Sequence, residues 1–176
     1  MLRAARLDSG FYEHVEHDPS ATRNSWLVVF IVGLCAGLGA ALYNLDRGVP
    51  TALIAFLFRF LGTFAGWWLW AAVTLWVGTT LTRGPQTRTD LGEVLRVLGY
   101  AHAPWGLSLF LFVPGLGAVL FALSSLWVLV AGVVAIRQAL DFTTSRAVLT
   151  VLLGWVIASA MMILITVAAA GLRLMS

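Results

Sequence analysis

Long apolar runs separated by short polar segments dominate the chain. Residues 26–45 carry no charge, and their length matches the roughly 20 residues that cross about 30 Å of hydrocarbon. Residues 51–81 are interrupted only by Arg59. Residues 51–59 therefore either lie along the membrane interface or extend a tilted second helix, with Arg59 snorkelling outward from near the membrane boundary. The pattern predicts two membrane-spanning helices, at 26–45 and 51–81.

A third apolar tract, residues 97–136, contains no formal charge and is too long for one crossing. Pro114 to Gly117 supply turn residues inside it, so we expect the tract to fold back there. This places a third helix at 93–113 and a fourth at 118–136. A polar loop follows, and a fifth apolar run at 147–172 predicts the last helix.

The predicted fold is therefore all-α, a polytopic integral membrane protein of about five transmembrane helices in one domain, residues 26–172. Composition agrees, because 60% of the residues are hydrophobic and 11% are charged, with a mean hydropathy of +0.92. Soluble domains carry about 25% charged residues. The polar tail 1–25 contains a short amphipathic segment but no apolar core of a signal peptide, so we expect the first helix to serve as the insertion signal. We expect residues 173–176 to form a short C-terminal tail.

Orientation follows from the basic residues, all of which are arginine. Cytoplasmic segments are enriched in Lys and Arg, and five spans with the N-terminus inside place most arginines in the cytoplasm. These are Arg3, Arg6, Arg23, Arg83, Arg88, Arg96, Arg137 and Arg146, against Arg47, Arg59 and Arg173 elsewhere. We therefore predict a plasma (inner) membrane protein with its C-terminus outside. The absence of lysine suggests a GC-rich bacterial genome, and a net charge of +3 is too small for a nucleic-acid-binding surface.

Small residues predict where helices approach one another, because association in lipid depends on close backbone contact and polar groups. The first helix carries Gly33 and Gly37 at i, i+4, and the second carries Gly62 and Gly66. We expect these helices to pair tightly through the two motifs. The same surfaces could equally form a homo-oligomer, and such spacings also arise by chance in a chain rich in Gly and Ala.

His102 lies at membrane depth, early in the predicted third helix. One interpretation is a proton relay, because ionisable groups in the membrane are costly and tend to be functional. The favoured interpretation is structural: His102 bonds a carbonyl freed near Pro104, whose ring removes a helical hydrogen bond. His14 and His17 could share a helical face, but no further ligands complete a tetrahedral site. The sequence predicts no metal and no cofactor.

Charged pairs flank two predicted loops on the same side. Glu93 and Arg96 are spaced i, i+3, and Arg137 and Asp141 are spaced i, i+4, so each pair can bridge locally. If the loops meet, the four charges form one network; the alternative is solvated interface charges. The candidate polar network comprises Glu93, Arg96, Tyr100, His102, Pro104, Arg137 and Asp141.

Catalytic motifs are missing from the sequence, including nucleophile elbows, His-Glu-x-x-His and phosphate loops. We therefore predict a non-enzymatic protein. The leading hypothesis is a scaffold or adaptor whose partners are membrane lipids and other membrane proteins or a second copy. The alternative is a small transporter, channel or lipid-translocating protein that uses a polar route near His102. No nucleic acid is expected as a partner.

Three stretches resemble the bacterial branch of the Yip family, the multi-pass Ypt/Rab-interacting membrane proteins. They are the lead-in 11–19, the segment 93–104 with its Gly-Tyr-Ala-x-x-Pro signature, and the segment 135–147. The resemblance implies five helices with the N-terminus in the cytosol. Eukaryotic relatives act in early secretory traffic and bind small GTPases and partner membrane proteins, so the resemblance implies GTPase binding by analogy only.

Overall fold

The fold is all-α in the part of the chain that the computed structural model describes: residues 10, 12, 15, 18, 20–84, 87 and 89–175, with side chains as far as 168. From residue 20 onward it contains five α-helices and two 3-10 helices. The α-helices are α1 (Ala21–Tyr43), α2 (Val49–Thr80), α3 (Leu91–Ala101), α4 (Leu116–Ala139) and α5 (Thr144–Met175), and the 3-10 helices are Leu45–Arg47 and Ala103–Phe112.

Four of these helices are long and apolar enough to cross a membrane: α1, α2, α4 and residues 144–168 of α5. The remaining segment, α3 followed by the 3-10 helix Ala103–Phe112, runs beside α1 in the same direction. Gly99 of α3 lies against Ser25 near the start of α1, and Ser108 lies against Gly39 near its end. This composite segment therefore accompanies α1 along its length, and the bundle has about five crossings, as predicted. We call the end where α1 begins the near face and the opposite end the far face.

Local sequence explains where the elements begin. An Asp90–Glu93 capping box starts α3: the Glu93 backbone N–H donates to Asp90 Oδ1 at 2.9 Å, and the Asp90 N–H donates to Glu93 Oε2 at 3.1 Å. Gly115 adopts a φ of 77° at the turn before α4, a conformation that suits glycine. The predicted fold-back at Pro114 to Gly117 is where the structure turns.

The prediction of a single α-helix at 93–113 was wrong. The α-helix ends at Ala101, and residues 103–112 form a 3-10 helix. Pro104 stands in the first turn of that helix, where its missing N–H and its ring interrupt α-helical bonding. Because 3-10 helices seldom exceed three or four residues, packing against neighbouring helices must sustain this one.

Helix α2 is continuous through residues 51–59, so this segment belongs to the second helix rather than lying apart along the interface. Arg59 is ten residues from Val49, which corresponds to about 15 Å of helix, half of a hydrocarbon core of about 30 Å. Its neighbour Phe60 packs on Gly33, in the middle of α1. Arg59 therefore lies within α2, level with the middle of α1, rather than at the end of a helix.

The elements form a closed ring. Helix α1 packs on α2, α2 on α5, α5 on α4, α4 on the 3-10 helix Ala103–Phe112, and that helix on α1. Towards the near face the ring is filled: Trp70 lies against Gly132 of α4, and Thr74 lies against Gly154 of α5. Two tail residues, Tyr12 and Val15, are also buried. Leu7 and Phe11 of the polar tail lie outside the described residues.

Candidate functional site: a cavity inside the helix bundle

A cavity of about 390 Å³ occupies the interior of the ring. This volume falls within the range of about 300–1,000 Å³ typical of ligand pockets. Every element of the ring contributes to its wall, which combines aromatic and aliphatic side chains with a few polar ones. The lining residues are Val32, Ala36, Arg59, Gly62, Thr63, Gly66, Trp70, His102, Trp105, Ser108, Phe121, Ser125, Trp155, Ala158, Ser159, Met162 and Ile163.

The cavity opens through the side of the bundle in its far half. Arg59 of α2, Phe121 of α4 and Ile163 of α5 all line it, yet all three side chains are exposed, Phe121 to 45% and Ile163 to 63%. In a bilayer this surface faces acyl chains. The mouth between α2, α4 and α5 therefore connects the interior with lipid.

The two glycine motifs have different roles. Gly33 and Gly37 pack against phenylalanines of α2: a Cβ at Gly37 would lie 2.8 Å from the Phe56 ring. The expected contribution of Gly62 and Gly66 to this helix pair was wrong, because a Cβ at either position would meet nothing within 4 Å. These two glycines lie on the cavity side of α2 instead, and their lack of side chains leaves the space open.

His102 is held at the junction between α3 and the 3-10 helix with 1% of its surface exposed. Its Nδ1 lies 2.7 Å from the Leu98 carbonyl oxygen, which only accepts, so Nδ1 carries the proton. The ring packs between Trp70 and Trp105, with centroid distances of 5.4 and 5.1 Å. A bond to a nearby carbonyl was the structural interpretation of His102, although the acceptor is not the carbonyl that Pro104 frees, that of Tyr100.

The other ring nitrogen, Nε2, is buried without a hydrogen-bond partner among the described residues, as are Trp70 Nε1 and Ser108 Oγ. All three residues line the cavity. With Nδ1 protonated, neutral His102 presents Nε2 as an acceptor, whereas the Trp70 indole is only a donor. Leaving buried polar groups unpaired costs about 1–3 kcal/mol each. The residues of the cavity wall therefore have an unpaired acceptor and an unpaired donor, which suit a ligand that both donates and accepts hydrogen bonds.

Arg59 supplies positive charge at the mouth. No aspartate or glutamate is among the lining residues, and no ion pair to Arg59 occurs in the part of the chain whose side chains are described. A charged residue at the centre of a membrane helix costs about 2.5–3.5 kcal/mol on insertion scales and is by default a sign of function. The cavity is therefore electropositive as well as rich in donors.

Three members of the predicted charge network, Glu93, Arg137 and Asp141, lie apart from one another. Glu93 caps α3, and Arg137 and Asp141 are exposed; within the described residues no ion pair joins these three. Helix α4 ends at Ala139, and Asp141 has a φ of 51°, the left-handed conformation at a helix C-terminus. The i, i+4 pairing assumed a helix through Asp141, and that assumption was wrong.

The remaining predicted residues are divided between the near face and the cavity. Tyr100 is buried close to Asn24 of α1. Pro104 starts the 3-10 helix whose Trp105 and Ser108 line the cavity. His14 and His17 are outside the part of the chain that the structure describes.

The sequence analysis did not identify Trp70 and Ser108 as functional residues. It also did not predict that one face of α2 lines a cavity. A signal was available: Gly62, Gly66 and Trp70 recur at i, i+4 and i+8, and Arg59 lies three residues before Gly62. Residues at these spacings share one face of a helix. A membrane helix with an arginine, two glycines and a tryptophan on one face indicates an interior polar space rather than a lipid-facing surface.

Comparisons with known proteins place the chain in a family. The Yip1 domain matches residues 7–167, which is nearly the whole chain. No curated protein matches it significantly, and no solved structure does so. The match covers α1, α2, α3 and α4 completely and most of α5. The chain is a multi-pass membrane protein that belongs to the Yip1 domain family.

Proposed function

We propose that this protein is a non-enzymatic membrane adaptor, which binds a membrane lipid in its cavity and associates with other membrane proteins or with a second copy through its outer surface. One observation carries the proposal: a ligand-sized cavity, open sideways, is lined by His102, Trp70 and Ser108, each of which has a buried polar atom without a partner among the described residues. Such concave, mostly apolar pockets with a few convergent polar groups are the usual sites of small-molecule binding.

The adaptor proposal is tested by asking whether lipid remains with the purified protein. The full chain is extracted in mild detergent, and bound lipid is counted by native mass spectrometry. We expect wild type to retain lipid and Gly66→Leu to lose it, because the leucine fills space in which a Cβ meets nothing within 4 Å. Cross-linking in the membranes before extraction identifies protein partners.

Gly106→Leu is the matched control. A Cβ at Gly106 also meets nothing within 4 Å, but Gly106 does not line the cavity, so lipid retention should be unchanged. If wild type and Gly66→Leu hold the same amount of lipid, or if neither holds any, the cavity is not the binding site and the proposal fails.

A second candidate function, movement of a solute or lipid across the membrane, is favoured by the depth over which polar groups line the cavity. Trp70 and Arg59 are eleven residues apart on α2, or about 16 Å, roughly half of the hydrocarbon thickness. Flux through liposomes containing wild type, abolished by His102→Ala, would support transport. Lipid binding without flux in the same preparation would support the adaptor function and contradict transport.

We further propose that the protein resides in the bacterial inner membrane with its N-terminus in the cytoplasm. The near face supports this orientation, because Arg23, Arg83 and Arg146 lie there, whereas Arg47 is at the far face. Arg59 lies level with the middle of α1 and is counted for neither side. Reporter fusions should find the two chain ends on opposite sides of the membrane; both ends on one side would contradict the orientation.

A further inference from the structure

We infer that the cavity receives the headgroup of an anionic phospholipid, with the lipid phosphate paired with Arg59 at the mouth. The inference rests on the proposed lipid-binding function and specifies its ligand. Three properties of the cavity lead to it: its charge, the direction in which it opens, and the hydrogen-bonding groups in its wall.

The charge of the cavity calls for an anion. Arg59 lines the mouth, and no lining residue is acidic, so the wall itself contributes no counter-charge. Charges in the hydrocarbon region are normally paired. A planar guanidinium binds phosphate through two parallel hydrogen bonds. A net-neutral lipid would bring its own cation towards Arg59 and is therefore disfavoured.

The direction of the opening calls for a lipid rather than a free anion. The mouth lies in the side of the bundle, bordered by the exposed side chains of Phe121 and Ile163. A soluble phosphate would have to cross hydrocarbon unaided to reach it, whereas a phospholipid is held beside the mouth by its acyl chains, and only its headgroup has to move inward towards Arg59. A volume of about 390 Å³ accommodates a headgroup and leaves the acyl chains to extend through the mouth into the membrane.

The hydrogen-bonding groups of the inner wall favour a headgroup that carries hydroxyl groups. His102 Nε2 offers an acceptor, and the Trp70 indole offers a donor; both are buried without a partner among the described residues. A hydroxyl group donates to the first and accepts from the second. Phosphatidylglycerol has this chemistry, with one phosphate and two headgroup hydroxyls, and it serves as the probe.

The test measures lipid selectivity in nanodiscs that contain equal amounts of dioleoylphosphatidylglycerol and dioleoylphosphatidylcholine. Native mass spectrometry of the full chain, released from the nanodiscs, counts each bound lipid. We expect wild type to favour phosphatidylglycerol by roughly tenfold or more, the range set by a charge-assisted hydrogen bond. Arg59→Gln should abolish the preference, and Arg59→Lys should restore part of it because it keeps the charge without the bidentate geometry.

The variants separate failure of this inference from failure of the proposed function. If Gly66→Leu removes bound lipid but Arg59→Gln leaves the selectivity unchanged, the cavity binds lipid without recognising an anion, and only this inference is overturned. If Gly66→Leu retains lipid as Gly106→Leu does, both fail. Displacement of phosphatidylglycerol by millimolar inorganic phosphate would overturn the assignment to a lipid. Far-UV circular dichroism identical to wild type shows that each variant is folded.

Discussion

Replacement of Trp67 by alanine is expected to destabilise the protein by about 3–5 kcal/mol, the usual cost of truncating a buried tryptophan. Trp67 is 1% exposed and lies where α1, α2 and α3 meet. Its indole N–H donates to the Leu95 carbonyl at 3.2 Å, and its ring stands edge-on to Trp26 with centroids 4.8 Å apart. Lipid cannot fill the space that alanine would leave, so the contacts of the ring are lost outright.

The neighbouring Trp68 supplies the control, because it is 50% exposed to the surroundings of the bundle. Trp68→Ala should change the free energy of unfolding by no more than about 0.5 kcal/mol. Trp67→Phe keeps most of the buried volume and should cost about 1 kcal/mol for the lost hydrogen bond. SDS titration in mixed micelles, followed by far-UV circular dichroism, measures all three. Equal losses for Trp67→Ala and Trp68→Ala would contradict the packing described here.

The crossings could be predicted from sequence because hydrocarbon thickness fixes the length of an apolar helix. The second predicted span, 51–81, corresponds to α2 at Val49–Thr80, and the fold-back at Pro114 coincides with the turn before α4. The 3-10 helix could not be predicted in this way. Residues 103–112 are as apolar as the rest of the tract, and the change of helix type depends on Pro104 together with the contact that these residues make with α1.

The cavity could not be predicted from the sequence, for a different reason. Spacing shows which residues share a helix face, but not what that face meets. Gly33–Gly37 and Gly62–Gly66 are identical patterns, yet the first packs on phenylalanine rings and the second borders open space. Likewise, Arg59 stands at an apparent helix boundary in the sequence, whereas α2 begins ten residues earlier, at Val49. Burial of His102 depends on Trp70 and Trp105, which come from different elements.

Gly39→Ala is expected to destabilise the protein by about 1–3 kcal/mol, as overpacking of a tight contact does. At this position α1 touches the backbone of the 3-10 helix: a Cβ would overlap the Ser108 carbonyl oxygen and lie 3.0 Å from that of Leu109. A backbone carbonyl cannot rotate away as a side chain does, so the two helices must separate. Separation removes the packing that sustains a 3-10 helix of unusual length, and it moves Ser108 in the cavity wall.

Gly62→Ala is the matched control, since Gly62 is also within a membrane helix but its Cβ would meet nothing within 4 Å. Alanine favours helix over glycine by up to about 1 kcal/mol, so Gly62→Ala should be as stable as wild type or slightly more stable. The same substitution thus has opposite effects on two helices, measured by SDS titration in mixed micelles. If Gly39→Ala were as stable as Gly62→Ala, α1 and the 3-10 helix would not be in direct backbone contact. The composite crossing beside α1, which closes the ring around the cavity, would then be refuted.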